Sequence, residues 1–350
     1  MWPPVTSRRP RVLLIGGNLS GGGGVNRVIR DVAVICAERL GCDTTVVSAR
    51  SADPPTYRFP PTVKLEFRPE GRSLGHYLKI LVGLRRRRYD YALSFWTQDN
   101  MLASLIFLGS RTRTIIAEHT SWNFHGALIR VFRRIVYPLA WRLLVLNPTE
   151  FAYYRRGERN VRLLPNPIPE EPVPVIDGRE RLIVAVGHLE PRKNFQDAIV
   201  AMARSGLERS GWSLVIIGDG PDKRQLEELI DDLGLEKTRI VEPTSDLAQW
   251  WARASLTLVT ARLEVFSLVL AEAMLAGVVP IAYATDGPSF ILEKFPDLLH
   301  PIGDVDGLSA TMRAFAANPP GEELRQEMRD EIRRRFSVDV IAGEWKDLLQ

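Results

Sequence analysis

Short apolar runs, each closed by glycine, proline or polar residues, recur along this chain and alternate with segments of helical period. RVLLIG (11–16), TTVVSA (44–49), VKLEF (63–67), YALSF (91–95), TIIAE (114–118) and LLVLN (143–147) read as strands or strand ends. VNRVIRDVAVICAERL (25–40) lies between the first two and has helical spacing. Strands that are apolar nearly throughout, with helices between them, predict a parallel sheet covered on both faces.

The pattern stops at LLPNPIPEEPVPV (163–175) and then restarts. Proline at this density neither continues a helix nor sits in a central strand, so the segment reads as a linker. RLIVAVG (181–187), SLVIIG (213–218), RIVE (239–242), LTLVT (256–260) and VPIAYA (279–284) are the second set of strands. NFQDAIVAMARSG (194–206) and DKRQLEELIDDLG (222–234) read as helices, and residues 322–350 form a charged helical tail. The expected organisation is α/β, with two doubly wound halves at 1–167 and 168–335 and a closing helix at 336–350. Ligands of such sheets bind beyond the carboxyl ends of the strands.

The length of 350 residues suits two domains, and 45% hydrophobic with 25% charged residues is a globular balance. No apolar run reaches the roughly 20 residues of a spanning helix. The N-terminal apolar stretch is too short for a secretory leader, so a cytoplasmic location is expected. Cys36 and Cys42 lack metal-type spacing and read as reduced, structural thiols. Net charge is only +4, yet arginines cluster at 85–88 and at 130, 133, 134 and 142. No recognition module accompanies them, which argues against nucleic acid.

Three places carry chemistry. GGNLSGGGGVNRVI (16–29) joins the first strand to the first helix, and Gly23 and Gly24 let backbone approach an anion at a helix N-terminus. Neither the dinucleotide fingerprint nor the P-loop pattern is present there. In VGHLEPRKNF (186–195), Arg192 and Lys193 stand at a helix entrance, where cations are unfavourable unless an anion binds. ARLEVFSLVLAEAM (261–274) holds Glu264 and Glu272 in an apolar run. Ser267 as N-cap leaves Glu264 in a loop and Glu272 in the helix, with the N–H groups of Leu268 and Val269 between them. Two carboxylates flanking free amides match an elongated ligand with hydroxyls at both ends and a diphosphate between. Asp304-Val305-Asp306 reads as a helix cap rather than a metal site.

With these residues in view, the sequence resembles the retaining GT-B glycosyltransferases of family 4, also called group 1. The run E-V-F-S-L-V-L-A-E-A-M-L-A-G-V-V-P (264–280) is similar to that family's E-G-F-G-L-x-x-x-E-A-M-A-x-G-x-P-V. Gly23, Gly24, Arg27 and Val28 resemble its G-G-x-x-R-V turn. Asn166, VGHLEPRKNF, IIGDGP (216–221), DGPSFIL (286–292) and Glu344-Trp345 resemble further family stretches. The resemblance implies two Rossmann-like domains, an N-terminal acceptor domain and a C-terminal nucleotide-sugar domain. It implies Glu264 and His119 near the donor sugar, and Glu272 on the ribose hydroxyls. Lys193 with Arg192 would hold the diphosphate, together with Gly23, Gly24 and the backbone of Phe266, Ser267, Leu268 and Val269. His188 stands where the family has an arginine, Val265 and Ser267 replace glycines, and Phe290 replaces a glutamate. No cofactor or metal is implied beyond the donor itself.

The expected activity is transfer of a hexosyl or N-acetylhexosaminyl group, from a donor more often UDP-linked than not, to a glycan or lipid-linked acceptor. A catalytically weak binding relative and a nucleotide-sugar epimerase remain open at this level. The stretch 125–146, apolar with four arginines, reads as helical and suits either a core helix or a helix lying on an anionic membrane, together with Arg85–Arg88.

Overall fold

The computed structural model describes residues 8–48, 50, 53–67, 74–157, 160–170, 178–244 and 246–349. The chain divides into two units, Met1–Pro167 with Val338–Gln350, and Ile168–Ser337.

The first unit is built on β1 (Arg11–Gly16), β2 (Asp43–Ser48), β3 (Lys64–Phe67), β4 (Tyr91–Ser94), β5 (Arg113–Ala117), β6 (Arg142–Val145) and β7 (Val161–Leu163). They form one parallel sheet in the order β3-β2-β1-β4-β5-β6-β7. The connecting helices are α1 (Gly24–Val34), α2 (Leu74–Arg85), α3 (Thr97–Ile106), α4 (Ala127–Val136) and α5 (Pro148–Arg155). Leu13 and Ile15 of β1 pack with Tyr77, Leu81 and Leu84 of α2 and with Ala103 of α3. By strand alternation Val12 and Leu14 face the other way, and both are fully buried. Burial on both faces explains why these strands lack polar alternation.

The second unit repeats the plan with β8 (Leu182–Val186), β9 (Ser213–Ile217), β10 (Thr238–Val241), β11 (Leu256–Val259), β12 (Val279–Tyr283) and β13 (Leu299–His300). Its sheet is also parallel, in the order β10-β9-β8-β11-β12-β13. The helices are α6 (Phe195–Ser205), α7 (Lys223–Asp232), α8 (Ala248–Arg253), α9 (Leu268–Leu275), α10 (Asp286–Ile291), α11 (Val305–Ala317) and α12 (Glu322–Phe336). Trp251 of α8 and Ala273 of α9 cover Leu182, Val184, Val215 and Ile217 on one face. Across the other, the Ser309 hydroxyl of α11 donates to the Ala201 carbonyl of α6 at 3.1 Å.

The charged tail is two helices. It breaks at Ser337, and α13 (Val338–Leu349) belongs to the first unit, where Trp345 is buried and the Tyr91 hydroxyl donates to the Leu349 carbonyl at 2.7 Å. Ile168 donates to the Phe336 carbonyl at 2.8 Å, so the outgoing and returning strands of chain run side by side at the boundary.

Two sequence readings change. The stretch 125–146 is not one helix. Its helix ends at Val136, a short 3-10 turn Tyr137–Leu139 follows, and β6 begins at Arg142. Pro138 lacks the N–H that a longer helix needs. The helix read at 25–40 keeps α geometry to Val34 and finishes as a π-helical turn over Ile35–Arg39. The predicted linker is described as far as Glu170, and its remainder lies outside the described residues. Cys36 and Cys42 are buried free thiols, and burial pushes the Cys42 pKa up to about 11.

Candidate active site

In the second unit, the chain leaves β8 toward β9 on one side and leaves β11 toward β12 on the other. A crevice opens where the direction reverses, beyond the carboxyl ends of β8 and β11. The loop after β8 carries His188, Arg192 and Lys193, and the loop after β11 carries Arg262 and Glu264. The Lys193 ammonium donates to the Glu264 carboxylate, both side chains being mostly buried. The two loops are also joined through backbone, since Arg262 N–H donates to the Arg192 carbonyl at 2.8 Å.

Lys193 is held by its neighbour. Asn194 has left-handed backbone at φ 54°, an unusual conformation for a residue with a side chain. Its amide donates to Asp197 at 2.7 Å and to the Thr260 carbonyl at 3.3 Å, which ties the entrance of α6 to the end of β11. Asp197 also accepts from the Tyr283 hydroxyl at 2.7 Å. Arg192 takes a different course. It is exposed, and its Nε donates to Glu190 at 2.6 Å. His188 is exposed at the strand end.

Ser267 caps α9, its hydroxyl accepting from Leu270 N–H at 3.4 Å. The amides of Leu268 and Val269 precede any intrahelical acceptor and remain available at the helix start. Glu272 is half-buried, further along the same helix. Ser267 has φ −89°, and Val265 is not among the positive-φ residues, so neither position requires glycine. Val265 and Phe266 are buried, and Phe266 meets Phe336 edge-on at 5.4 Å between centroids. The Phe266 side chain thus belongs to the packing, and its backbone is what the loop presents. Phe290 meets Phe336 in the same manner at 5.6 Å, with Arg335 stacked 4.4 Å over its ring. Gly287 closes the arrangement. Its N–H donates to the Glu264 carbonyl at 2.7 Å, and a Cβ there would come within 2.8 Å of Phe266 N. Sequence reasoning missed the roles of Asn194 and Gly287; the quoted stretch DGPSFIL was the available signal for the latter.

In the first unit the named residues also stand beyond strand ends. Gly23 caps α1, and a Cβ at Gly22 or Gly23 would meet nothing within 4 Å, so the turn leaves open space before the helix. Asn26 holds the turn by donating to Asn18 and Gly21 carbonyls at 2.9 and 2.8 Å. Gly17 is glycine for a different reason, since a Cβ there would fall 2.8 Å from the Asp99 carboxylate. Asn166 is buried after β7. His119 follows β5, half-buried with its ring 5.8 Å from that of Phe95. Burial pushes its pKa down to about 4, so the imidazole is neutral at physiological pH.

Glu118, the residue before His119, is fully buried, and nothing in the local sequence indicates its partners. It accepts from Thr97 Oγ1 at 3.1 Å, Thr120 N–H at 3.0 Å and the Tyr137 hydroxyl, and pairs with buried Arg133 of α4 at 3.2 Å. A buried carboxylate requires such a set of partners. The Arg85–Arg88 run is partly consumed by structure: Arg85 donates to the Ile106 carbonyl at 2.5 Å and Arg87 pairs with Glu66.

Two parallel sheets, each with its polar and glycine-rich loops at the strand carboxyl ends, define a pair of Rossmann-like domains of the GT-B type. Sucrose-phosphate synthase from Thermosynechococcus elongatus shares this fold over 97% of this chain and 98% of its own, with TM-score 0.85 and 19% identity. Anabaena HepE in complex with UDP covers 97% of this chain and 99% of its own, with TM-score 0.78 and 16% identity.

Residues 169–335, nearly all of the second unit, match the family Glycosyl transferases group 1. Among curated proteins, an exopolysaccharide phosphotransferase of Streptomyces coelicolor is 36% identical over 276 residues. That match covers 75% of this chain but only 29% of the relative, so the chain spans under a third of that protein's length. A Campylobacter jejuni alpha-1,4-N-acetyl-D-galactosaminyltransferase, named for a diphospho-undecaprenol-linked acceptor, is 25% identical over 78% of each chain.

Proposed function

We propose that the protein is a retaining glycosyltransferase of family 4. It would move a hexosyl or N-acetylhexosaminyl group from a UDP-linked sugar to a glycan or lipid-linked acceptor, in polysaccharide or glycolipid biosynthesis. The Lys193–Glu264 pair at the switch point of the second sheet, beside the open amides of Leu268 and Val269, carries this reading. The group 1 match over the same unit supports it, as do a UDP-bound fold neighbour and a relative named for lipid-linked glycan.

In this reading the second unit binds the donor. Lys193, in place of its contact with Glu264, and Arg192, swung from Glu190, take the diphosphate with the α9 amides. They stabilise the charge that develops as the glycosidic bond breaks, the kind of contact whose removal costs about 10²–10³ in rate. Glu264 faces the donor sugar, and Glu272 accepts from the ribose hydroxyls. By the family resemblance, His119 stands near the donor sugar as a neutral hydrogen-bonding group, and Gly23 and Gly24 approach the diphosphate. The acceptor attacks on the face the leaving phosphate departs from, and that phosphate takes the acceptor proton. Protein groups bear the leaving-group charge, so turnover should survive EDTA. The corresponding location is cytoplasmic, peripheral at the inner membrane face.

The test is a donor screen with product analysis against lipid-linked acceptors. Thermal shift with UDP, GDP, ADP and NAD selects the donor class. Glu272→Ala should raise KM for the donor with kcat largely kept, and Glu264→Ala should mainly lower kcat. A response to NAD alone, or a product that gains phosphate rather than sugar, would overturn the reading. Near-wild-type kinetics in both variants would remove the residue assignment.

A further inference from the structure

α4 is packed the reverse of an ordinary amphipathic helix. Leu128, Val131, Phe132 and Ile135 fall at i, i+3, i+4 and i+7, the stripe that normally faces a core. Here they are 81%, 56%, 49% and 63% exposed. Phe124 before the helix and Leu139 after it extend the apolar surface at 51% and 39% exposure. The residues turned inward are instead Val136 and Arg133, each 2% exposed, and Arg133 is paired with buried Glu118. The Tyr137 hydroxyl adds a second bond to the same carboxylate, so a buried polar anchor fixes the roll of the helix. Rolling the helix over would break this pair and strand a buried charge, which opposes the reverse orientation.

An apolar face of this extent needs an occupant. Its surroundings indicate which. Arg130 and Arg134 are exposed beside the stripe, and from His119 to Thr149 the sequence contains no aspartate or glutamate. Leucine, isoleucine and phenylalanine on one face, with arginine at the border and no acid, is the composition of a helix that lies in the headgroup region of an anionic bilayer. No helix among the described residues is long and apolar enough to cross a membrane, so the contact is one of lying on the surface.

We propose that the exposed face of α4, with Phe124 and Leu139, is a docking surface for anionic lipid bilayers, the apolar stripe entering the acyl boundary and Arg130 and Arg134 meeting phosphate headgroups. The proposal deepens the glycosyl-transfer reading by giving a lipid-linked acceptor a place to be met, but the docking itself does not depend on that chemistry.

The experiment is flotation of the purified chain with vesicles of phosphatidylcholine alone and of phosphatidylcholine with phosphatidylglycerol. The chain should float with the anionic vesicles, less so as salt screens the arginines. The double variant Leu128→Glu/Ile135→Glu should lower bound protein by about tenfold or more. Arg130→Glu/Arg134→Glu should remove the preference for anionic lipid. All four side chains are exposed, so unchanged melting temperatures are expected and serve as the folding control. Absence of flotation, or equal flotation of wild type and the glutamate double variant, overturns the proposal. So does a concentration-dependent dimer that the double variant abolishes without any vesicle binding, which would assign the face to a second copy. Flotation without sugar transfer leaves docking standing and removes the transferase reading; transfer to a soluble acceptor without flotation does the reverse.

Discussion

Lys193 and Glu264 are 71 positions apart in sequence, and each is unremarkable as a single residue. Together they give the carboxyl end of the second sheet a mostly buried cation and carboxylate in contact, groups that the proposed donor's diphosphate and sugar would separate. His119 behaves in the opposite way, since burial removes its charge. Its folded pKa of about 4 lies below the ordinary histidine value. The unfolded chain therefore binds more protons between about pH 6.5 and 4. The stability contributed by neutral His119 is complete above that window and is lost as pH falls through it. We expect the His119 ring to show no titration between about pH 5.5 and 8 in histidine NMR spectra. Acid denaturation curves should show a smaller stability loss across the same window for His119→Asn. A midpoint for His119 near the ordinary value would contradict this. At this scale the sequence showed which side chains could do chemistry. It did not show that Arg192 pairs with Glu190, because two adjacent residues at a helix entrance can face different ways.

Among the elements, α9 was the most legible. A serine ahead of an apolar run is a cap signal with a local cause, and the hydroxyl does bond the third amide of the helix. Ser267 also answers the question raised by the lost glycine, since the position has ordinary negative φ and the side chain is used. Ser267→Ala should destabilise the second unit by about 0.5–1 kcal/mol, seen as a melting shift of roughly 2–4 °C. Ser267→Asn should restore most of it. α4 was the least legible. Its periodicity suits a helix against a core and a helix on a membrane surface alike, and nothing local indicates that Arg133 rather than Leu128 turns inward. That choice follows from Glu118, on another element, whose carboxylate must be satisfied in the interior.

For the whole molecule, the restart after the proline-rich stretch indicated two sheets, and both are present with all strands parallel. The boundary after Pro167 has a second crossing at Ser337, and the last helix completes the first unit. Trp345 is 2% exposed there. Replacing it with alanine should cost about 3–5 kcal/mol, measured by denaturant unfolding. A loss under about 1 kcal/mol would mean the site collapses around the deletion. The sequence by itself determined strand and helix alternation, the parallel sheets, the α9 cap and the chemical inventory of the loops. These depend on periodicity, capping and composition, which act over a few residues. Only the tertiary structure decided that Lys193 meets Glu264, that Gly287 braces the Glu264 loop, and that α4 shows its apolar face to solvent. Each of those depends on which distant group a buried charge or a crowded backbone finds as its neighbour, and that is set by strand order rather than by sequence spacing.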